Sequence, residues 1–227
     1  MHLTVADVAS LLRTSPKQVY RWIDEGELDC NWFHDQPRFN RTELLEWATA
    51  RRIPVAVGQF LDEGDDAGAP SLAASLSRGG VHRAIAGKHR DQILRAVVEA
   101  TQLPAIDKDT LVEVLLAREA TGSTGIGDGI AIPHVRHPIV MGGSAATVSL
   151  CFLSEPVDFF AIDSSPVHTV FLIISTTVRG HLQMLARLGA ALSDPGFRSA
   201  VLHRESTEEI LREAARVEAA SVPSSAG

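Results

Sequence analysis

A glycine-rich stretch in the second half of the chain, residues 122–137, constrains the fold more than any other segment. It reads Gly-Ser-Thr-Gly-Ile-Gly-Asp-Gly-Ile-Ala-Ile-Pro-His-Val-Arg-His. Glycine lacks a Cβ atom, so its backbone adopts positive φ angles and approaches a ligand closely. Successive backbone N–H groups in such a turn form a concave site that favours an anion. The glycines of this stretch therefore predict an anion-binding loop.

A short buried strand and then a histidine are predicted directly after the loop. Ile130-Ala131-Ile132 has the apolar character of such a strand, and Pro133 ends it because proline cannot donate to a sheet ladder. His134 is then expected at the end of the strand, where its side chain faces a cleft. An imidazole beside an anion-holding loop is a suitable nucleophile for a phosphoryl group.

Two other phosphate-binding motifs are excluded by the residues around the loop. Residues 121–127 look like the cofactor loop of short-chain dehydrogenases, but they follow a predicted helix, whereas the dinucleotide fingerprint follows a strand. The single tyrosine of the chain, Tyr20, precedes the loop, so the Tyr-x-x-x-Lys of that family cannot follow it. A P-loop is excluded because the chain contains no Gly-Lys-Ser/Thr.

The thirteen residues from Gly122 to His134 resemble the active-site signature of the enzyme IIA domains of the phosphotransferase system. The resemblance is to the fructose–mannitol type and its nitrogen-regulatory branch. In that family the histidine that closes the motif is phosphorylated by a histidine-containing phosphocarrier protein, which gives this role to His134. The resemblance also assigns functional roles to an arginine in the preceding helix, Arg118, and to a histidine that begins a later helix, His181.

The same resemblance implies separate roles for Arg118 and His181. Arg118 is expected to stabilise the phosphoryl group or the docking of the partner, and His181 to hydrogen-bond the phosphoryl oxygens or His134. The resemblance covers about residues 78–217 and departs from the family pattern at Val135, where many members have glycine. No metal or other cofactor is expected. The implied phosphoryl-binding loop consists of Gly122, Ser123, Thr124 and Gly125, whose two hydroxyls either donate to the phosphoryl group or fix the turn.

The first fifty residues resemble a second family, the excisionase/MerR-like winged helix-turn-helix. Thr4 and Ser15 are predicted to cap two short helices, and a hairpin with its turn near Gln36-Pro37 precedes a third helix. The resemblance is carried by Thr-x-x-Asp-x-Ala-x-x-Leu, Val-x-Arg-Trp-Ile and Arg-Phe-x-Arg-x-Glu-Leu-x-x-Trp, which begin at positions 4, 19 and 38. It implies a small helical domain with a hairpin wing.

Whether this segment binds DNA is left open by its charge. Residues 1–52 contain seven Lys or Arg and eight Asp or Glu, a net charge of −1, whereas DNA affinity depends on the neutralisation of phosphates by cations. Lys17 and Arg21 lie one helical turn apart and are positioned to enter a major groove, where Gln18 would read a base edge. The alternative is a protein-docking module.

The remainder of the chain predicts an α/β sandwich with a central mixed sheet flanked by helices. Near-continuous apolar runs at 147–153 and 167–174 are typical of strands that are covered on both faces. The predicted domains span 1–54 and 78–218. A flexible linker is predicted at 55–77 and a disordered tail at 219–227. We expect the two domains to be tethered rather than fused into one core.

The composition of the chain limits the classes of protein to which it can belong. The chain has 227 residues, 45% of them hydrophobic, a net charge of −7 and only two cysteines, which together predict a reduced, cytoplasmic, globular protein without direct membrane insertion. The resemblance implies a regulatory phosphocarrier whose partners are a histidine-containing phosphocarrier protein and a regulatory target protein or permease domain. Two alternatives remain: a DNA-binding transcriptional regulator with the IIA-like domain as its sensor, and a IIA component of sugar transport.

Overall fold

The computed structural model of the protein describes residues 2–51, 53, 55, 71–101, 107–135 and 146–221. These residues form a small N-terminal domain and a larger α/β domain. Three regions named in the sequence analysis lie outside the described residues: most of the predicted linker (56–70), the end of the predicted tail (222–227) and the last two residues of the glycine-rich stretch (136–137).

The N-terminal domain combines helices with a small antiparallel sheet, as predicted. Its elements are β1 (His2–Leu3), α1 (Val5–Leu11), α2 (Pro16–Asp24), β2 (Asn31–Phe33), β3 (Gln36–Asn40) and α3 (Arg41–Ala50). Thr4 and Asp7 form a capping box on α1, and Ser15 caps α2. The strand order is β1-β3-β2. The hairpin turn lies at His34 and Asp35, which both have positive φ, and not at Gln36-Pro37, because these two residues pair with β2.

Helix α3 closes the N-terminal domain. Leu44 and Leu45 are fully buried on its inner face. Trp47 packs edge-on against Trp22 of α2 with ring centroids 5.0 Å apart, and its indole N–H donates to the carbonyl of Glu27 at 2.5 Å. The orientation of α3 is therefore fixed from within its own domain.

Within the described residues, the second domain consists of a five-stranded sheet and six helices. Its strands are β4 (Val81–Ile85), β5 (Gly125–Gly127), β6 (Ile130–Ala131), β7 (Thr147–Val157) and β8 (Val167–Ile174). Its helices are α4 (Leu72–Gly79), α5 (Arg90–Ala100), α6 (Lys108–Ala120), α7 (Val178–Ser193), α8 (Pro195–Leu202) and α9 (Thr207–Ser221). No helix of the described ranges has both the length and the apolar character needed to cross a membrane.

The sheet is mixed, which confirms the predicted fold class. Its order is β4-β7-β8-β6-β5, with parallel pairing at β4–β7 and β6–β8 and antiparallel pairing elsewhere. Side chains alternate between its faces along each central strand. Leu150 of β7 and Phe171 of β8 enter the core beside α7 to α9, whereas Cys151 and Val170 enter the core beside α5 and α6. Helices therefore cover both faces of the sheet.

The predicted boundaries of the linker and the tail are wrong at their inner ends. Leu72 and Leu76, one helical turn apart, are fully buried and belong to α4. The Glu218 carboxylate accepts from the Ser71 hydroxyl at 2.7 Å and from the backbone N–H groups that begin α4, where a negative charge also favours the helix dipole. This contact fixes α9 as well, which continues to Ser221.

The expectation of two merely tethered domains is also wrong, because they share one hydrophobic core. Helix α3 packs against α7 and β5, and buried residues of both domains belong to the same cluster. The approach is close at Gly189 of α7, where an added Cβ atom would lie 3.2 Å from the hydroxyl oxygen of the buried Thr49, so that Thr49 would have to shift by a few tenths of an ångström. The N-terminal domain is thus docked on the α/β domain.

Candidate functional site

The topology of the sheet brings the two predicted site histidines together. His134 follows β6 and still pairs with Ile173 of the parallel strand β8. Helix α7 begins just after the end of β8, with Thr177 as its N-cap, and carries His181 in its first turn. Because β6 and β8 are parallel, their carboxyl ends reach the same edge of the sheet. The two imidazole rings lie 5.1 Å apart, centroid to centroid.

The hydrogen bonds of His134 fix which ring nitrogen can act as a nucleophile. Its Nδ1 lies 2.7 Å from the carbonyl oxygen of Ile132, and a carbonyl only accepts, so Nδ1 carries a proton. Its Nε2 lies 3.0 Å from Oε1 of Glu46. When that carboxylate is absent, Nε2 is the nitrogen with a free lone pair.

Arg118 lies at the end of α6, and its side chain bonds to the carboxylate that also contacts His134. One terminal nitrogen of its guanidinium donates to the carbonyl of Gly122 at 2.9 Å, and the other donates to Oε2 of Glu46 at 2.8 Å. The side chains of Arg118, Glu46 and His134 are 10%, 11% and 4% exposed, respectively. The guanidinium is thus a largely buried positive charge that shares the Glu46 carboxylate with Nε2 of His134.

His181 is a neutral, buried partner of His134. The pKa of His181 is lowered to about 3, mainly by burial; the neighbouring His134 and Arg118 also lower it, and Glu46 opposes them. Its Nε2 is buried and has no hydrogen-bond partner among the described residues. A buried nitrogen of this kind is available to a ligand oxygen in the site.

The glycine loop, predicted to bind an anion, is held by hydrogen bonds within the protein that engage the Thr124 and Gly125 N–H groups and both hydroxyls. The Thr124 N–H and hydroxyl donate to the buried Glu119 carboxylate at 3.0 and 2.6 Å. The Ser123 hydroxyl donates to the carbonyl of Phe159 at 2.5 Å and accepts from the Gly125 N–H at 2.9 Å. Since each hydroxyl has one proton, both hydroxyls fix the turn in this arrangement.

Two acidic residues that contact the site were missed by sequence reasoning. Glu119 is 2% exposed and follows Arg118 on α6, so its position beside the motif was a usable signal. Glu46 belongs to the other domain and gave no local signal. It projects from α3 into a cavity of about 410 Å³ that is also lined by Arg118, Thr124 and His134. The candidate site therefore lies at the interface of the two domains.

Exposed apolar side chains flank the site on the α/β domain. Phe160 and Ile162 are 69% and 61% exposed, on a loop that contacts the glycine loop through the Ser123 hydroxyl. Val178 is exposed one turn before His181 on α7. Val135, the departure from the family pattern, is buried in the core beside α5 and α6 and does not contribute to the rim.

The residues proposed to contact DNA lie together on α2, away from His134. Lys17 and Arg21 are exposed and Gln18 is partly exposed. Arg21 donates to Glu25 at 2.8 Å, one turn later on the same helix. No group of three or more His, Cys, Asp or Glu suited to hold a metal ion occurs in the part of the chain that the structure describes.

Comparisons with known proteins agree with this fold. Residues 3–52 match the family of helix-turn-helix domains. The nitrogen regulatory protein of Pseudomonas aeruginosa is 36% identical over 112 residues, which are 48% of this chain and 71% of that protein. The fructose-specific EIIA component of the phosphotransferase system of Haloferax volcanii is 35% identical over 106 residues, 46% of this chain and 67% of that protein.

Solved structures support the same fold. A structure from Streptococcus pyogenes M1 GAS, described as a PTS IIA domain, covers 65% of this chain and 97% of its own, with a TM-score of 0.51 at 17% identity. Residues 76–215 match the family model of the phosphoenolpyruvate-dependent sugar phosphotransferase system, EIIA 2. The chain therefore belongs to the EIIA 2 family of the phosphotransferase system and carries an N-terminal helix-turn-helix domain.

Proposed function

We propose that the protein is a phosphocarrier that accepts a phosphoryl group on Nε2 of His134 from a histidine-containing phosphocarrier protein. The observation that carries the proposal is the hydrogen bond from Nδ1 of His134 to the carbonyl of Ile132 at 2.7 Å. It orients the ring and leaves Nε2 as the nucleophilic nitrogen, which faces the carboxylate of Glu46, the same carboxylate that accepts from Arg118.

The transfer requires no net proton movement in the reactive form of the site. The lone pair of Nε2 attacks phosphorus, and the bond between phosphorus and the donor imidazole breaks with its electron pair returning to the donor nitrogen. Nδ1 of His134 keeps its proton throughout, held by Ile132. The protein supplies position and charge, which is the main contribution of proteins to phosphoryl transfer.

Arg118 and His181 stabilise the charge that arrives with the phosphoryl group. The guanidinium of Arg118 is positioned to pair with a phosphoryl oxygen once the site is open, and such charge-assisted contacts to phosphate are strong. His181 stays neutral at ordinary pH because burial lowers its pKa to about 3. It therefore contributes a hydrogen bond from its unpartnered Nε2 without adding a second positive charge.

The exposed apolar side chains beside the site provide a docking surface for the donor protein. Phe160, Ile162 and Val178 are large apolar residues left in contact with solvent, the first two on the loop that accepts from Ser123 and the third on α7, which carries His181. Large apolar side chains that remain exposed commonly mark sites of protein–protein contact. A protein donor is expected here, since it must deliver a phosphohistidine to the same edge of the sheet.

We expect the phosphocarrier to have a regulatory role, for two reasons. The nitrogen regulatory protein of Pseudomonas aeruginosa is similar over the α/β domain, and the N-terminal helix-turn-helix is a candidate output module. The alternative of a sugar-transport component that passes phosphate to a permease-linked domain is supported by the similarity to the fructose-specific EIIA component of Haloferax volcanii.

The test is phosphoryl transfer from a purified enzyme I and histidine phosphocarrier pair, followed by intact-mass spectrometry of the full chain. We expect one acid-labile phosphate adduct on the wild type and none on His134→Ala. His134→Gln, which preserves polarity without a nucleophilic nitrogen, should behave as His134→Ala does. A donor shown to be active that leaves the wild type unmodified would refute the phosphocarrier function.

DNA binding by the N-terminal domain is a second candidate function. It is favoured by the exposure of Lys17 and Arg21 on α2 even while the domain is docked. The test is selection from a random duplex pool followed by anisotropy titrations at several salt concentrations. Lys17→Ala should weaken binding and reduce the magnitude of the salt slope by about 1. Failure to enrich any sequence, together with negligible binding at low salt, would leave docking as the role of the domain.

A further inference from the structure

Glu46 occupies the position that an incoming phosphoryl group requires. Its carboxylate is shared between two groups of the α/β domain, with Oε1 at 3.0 Å from Nε2 of His134 and Oε2 at 2.8 Å from a terminal nitrogen of Arg118. These are the nucleophile and the cation that the proposed transfer uses. A carboxylate presents two negative oxygens to them, much as a phosphoryl group would.

We propose that the N-terminal domain is an intramolecular inhibitor of phosphoryl uptake, with the carboxylate of Glu46 on α3 as its inhibitory group, and that phosphorylation of His134 releases the domain. This inference rests on the proposed phosphocarrier function and adds its regulation. The docked arrangement is the closed state, and the open state is the same chain with α3 removed from the site.

The contact with Glu46 removes the lone pair on which the transfer depends. Nδ1 of His134 already donates to Ile132, so the hydrogen bond between Nε2 and Oε1 requires a further proton between those two atoms. Whether the imidazole or the carboxyl carries it, the lone pair of Nε2 is engaged. In the open state the contact between Nε2 and Oε1 is broken, and the lone pair of Nε2 is available for attack.

Burial closes the site to a donor protein as well. The His134 side chain is 4% exposed, and the direction from Nε2 is filled by Oε1 of Glu46. In-line transfer needs the donor phosphorus to approach along that same direction. A donor therefore cannot reach His134 until α3 has moved.

The part of the domain interface around Glu46 contributes little to holding the two domains together. A buried ion pair such as Glu46–Arg118 offsets much of its attraction by the desolvation of both charges, so it contributes little net stability. The cavity of about 410 Å³ beside it leaves this part of the interface incompletely packed. Docking depends elsewhere on the close approach of Thr49 and Gly189.

Phosphorylation and docking exclude each other. A phosphoryl group on Nε2 takes the place of Oε1, and it brings a charge of about −1.5 to −2 next to the carboxylate of Glu46. The phosphoryl group also pairs with Arg118, which in the docked arrangement donates to Oε2 of Glu46. Linkage requires the reverse effect with equal strength, so a docked domain disfavours the phosphorylated state.

The test compares initial rates of phosphoryl uptake by the full chain, from the purified phosphocarrier, by intact mass. Glu46→Ala should accelerate uptake by about tenfold or more, since an open state that limits a reaction in this way is typically populated at about 10% or less. Glu43→Ala is the matched control. It removes an equal charge one turn earlier on α3, from an exposed side chain that also lines the cavity but bonds to neither His134 nor Arg118, and it should react at the wild-type rate.

A second variant opens the site without changing any residue around His134. Gly189→Leu places a large side chain on α7 against Thr49, where even a Cβ atom would lie at 3.2 Å, and leucine is the better helix former. It should accelerate uptake as Glu46→Ala does, with Glu46 still present. Hydrogen exchange of α3 peptides should become faster in this variant, and also in the wild type after phosphorylation.

The outcomes separate the inference from the function on which it rests. Faster uptake in Glu46→Ala and Gly189→Leu, with Glu43→Ala unchanged, supports inhibition by docking. His134-dependent labelling at equal rates in all four proteins overturns the inhibition and leaves the phosphocarrier intact. Absence of labelling in every protein, with an active donor, refutes both the function and its regulation.

Discussion

At the scale of single residues, the two histidines of the site differ in what surrounds them. His134 has a partner on each ring nitrogen, a carbonyl on one side and a carboxylate on the other. His181 is 2% exposed and its Nε2 is unpartnered within the described residues. A buried imidazole without a partner is held neutral, because charging it would leave an uncompensated cation in the interior.

This burial predicts a loss of stability in acid. The folded pKa of His181 is lowered to about 3 from an ordinary value of 6.5, so below pH 6.5 only the unfolded chain binds this proton. The contribution of His181 to stability is therefore complete above pH 6.5 and falls with decreasing pH toward 3. At pH 5.5, one pH unit below the ordinary pKa, the unfolding free energy should have lost about 1 kcal/mol through this residue.

His181→Gln removes the titrating group while it keeps a polar side chain. Urea unfolding of both proteins at pH 7.5 and 5.5 measures the effect. The difference in unfolding free energy, wild type minus variant, should fall by about 1 kcal/mol between the two pH values. A difference that stays constant with pH would show that His181 is protonated in the folded chain near its ordinary pKa.

The site residues of the α/β domain could be predicted from the sequence, whereas Glu46, which covers them, could not. His134 follows from the local motif, Arg118 and His181 were assigned by the family resemblance, and the fold brings the two histidines together. Glu46 lies 88 residues from His134 along the chain, on a helix whose own sequence indicates only an exposed acidic side chain. Its position depends on how two domains dock, which local periodicity does not encode.

At the scale of elements, the hairpin β5–β6 sets the position of His134. Gly129, in its turn, accepts backbone N–H donors from His168 and Thr169 at 2.8 and 3.0 Å, which fixes the start of β6 beside β8. The φ of Gly129 is +69°, and a Cβ atom there would collide with the imidazole of His168. Both the conformation and the close approach thus require glycine at this position.

Gly129→Ala should destabilise the chain more than a glycine substitution at the same backbone angle in open space. Gly26 provides that control, with φ +70° and nothing within 4 Å of the position of a Cβ atom. Gly26→Ala should cost about 1 kcal/mol from the left-handed conformation alone. Gly129→Ala should cost about 1–3 kcal/mol more, because the ring of His168 has to move. Urea denaturation followed by far-UV circular dichroism measures both, and equal costs would show that the ring yields freely.

Element prediction succeeded where the pattern was continuous and failed at boundaries with mixed signals. The apolar runs of β7 and β8 were predicted because strands buried on both faces have few polar residues. Helix α4 was predicted as part of a linker, since its two leucines follow a small, polar segment. Asp194 serves two helices, since it is the C-cap of α7 and, with Pro195 at the first helical position, the N-cap of α8.

At the scale of the whole molecule, docking makes the stability of the N-terminal domain depend on the α/β domain. Helix α3 contributes to the internal packing of its own domain through Trp47 and to the shared core through its contact with α7. All three tryptophans of the chain, at positions 22, 32 and 47, belong to the N-terminal domain. Tryptophan fluorescence therefore reports on this domain alone, whereas far-UV circular dichroism is dominated by the larger domain.

Removal of the Glu46 carboxylate should separate these two signals in urea. In Glu46→Ala the docked state would leave Arg118 buried without its partner, a change that costs about 3–5 kcal/mol for buried pairs. Undocking returns Arg118 to solvent and recovers part of this loss. We therefore expect the fluorescence transition to move to lower urea by the equivalent of at most about 3 kcal/mol, while the circular dichroism transition of the α/β domain changes little. Glu43→Ala should leave both transitions in place. If Glu46→Ala shifted neither transition, the contact of Glu46 with His134 and Arg118 would not stabilise the N-terminal domain. Closure of the site by Glu46 would then have no thermodynamic basis.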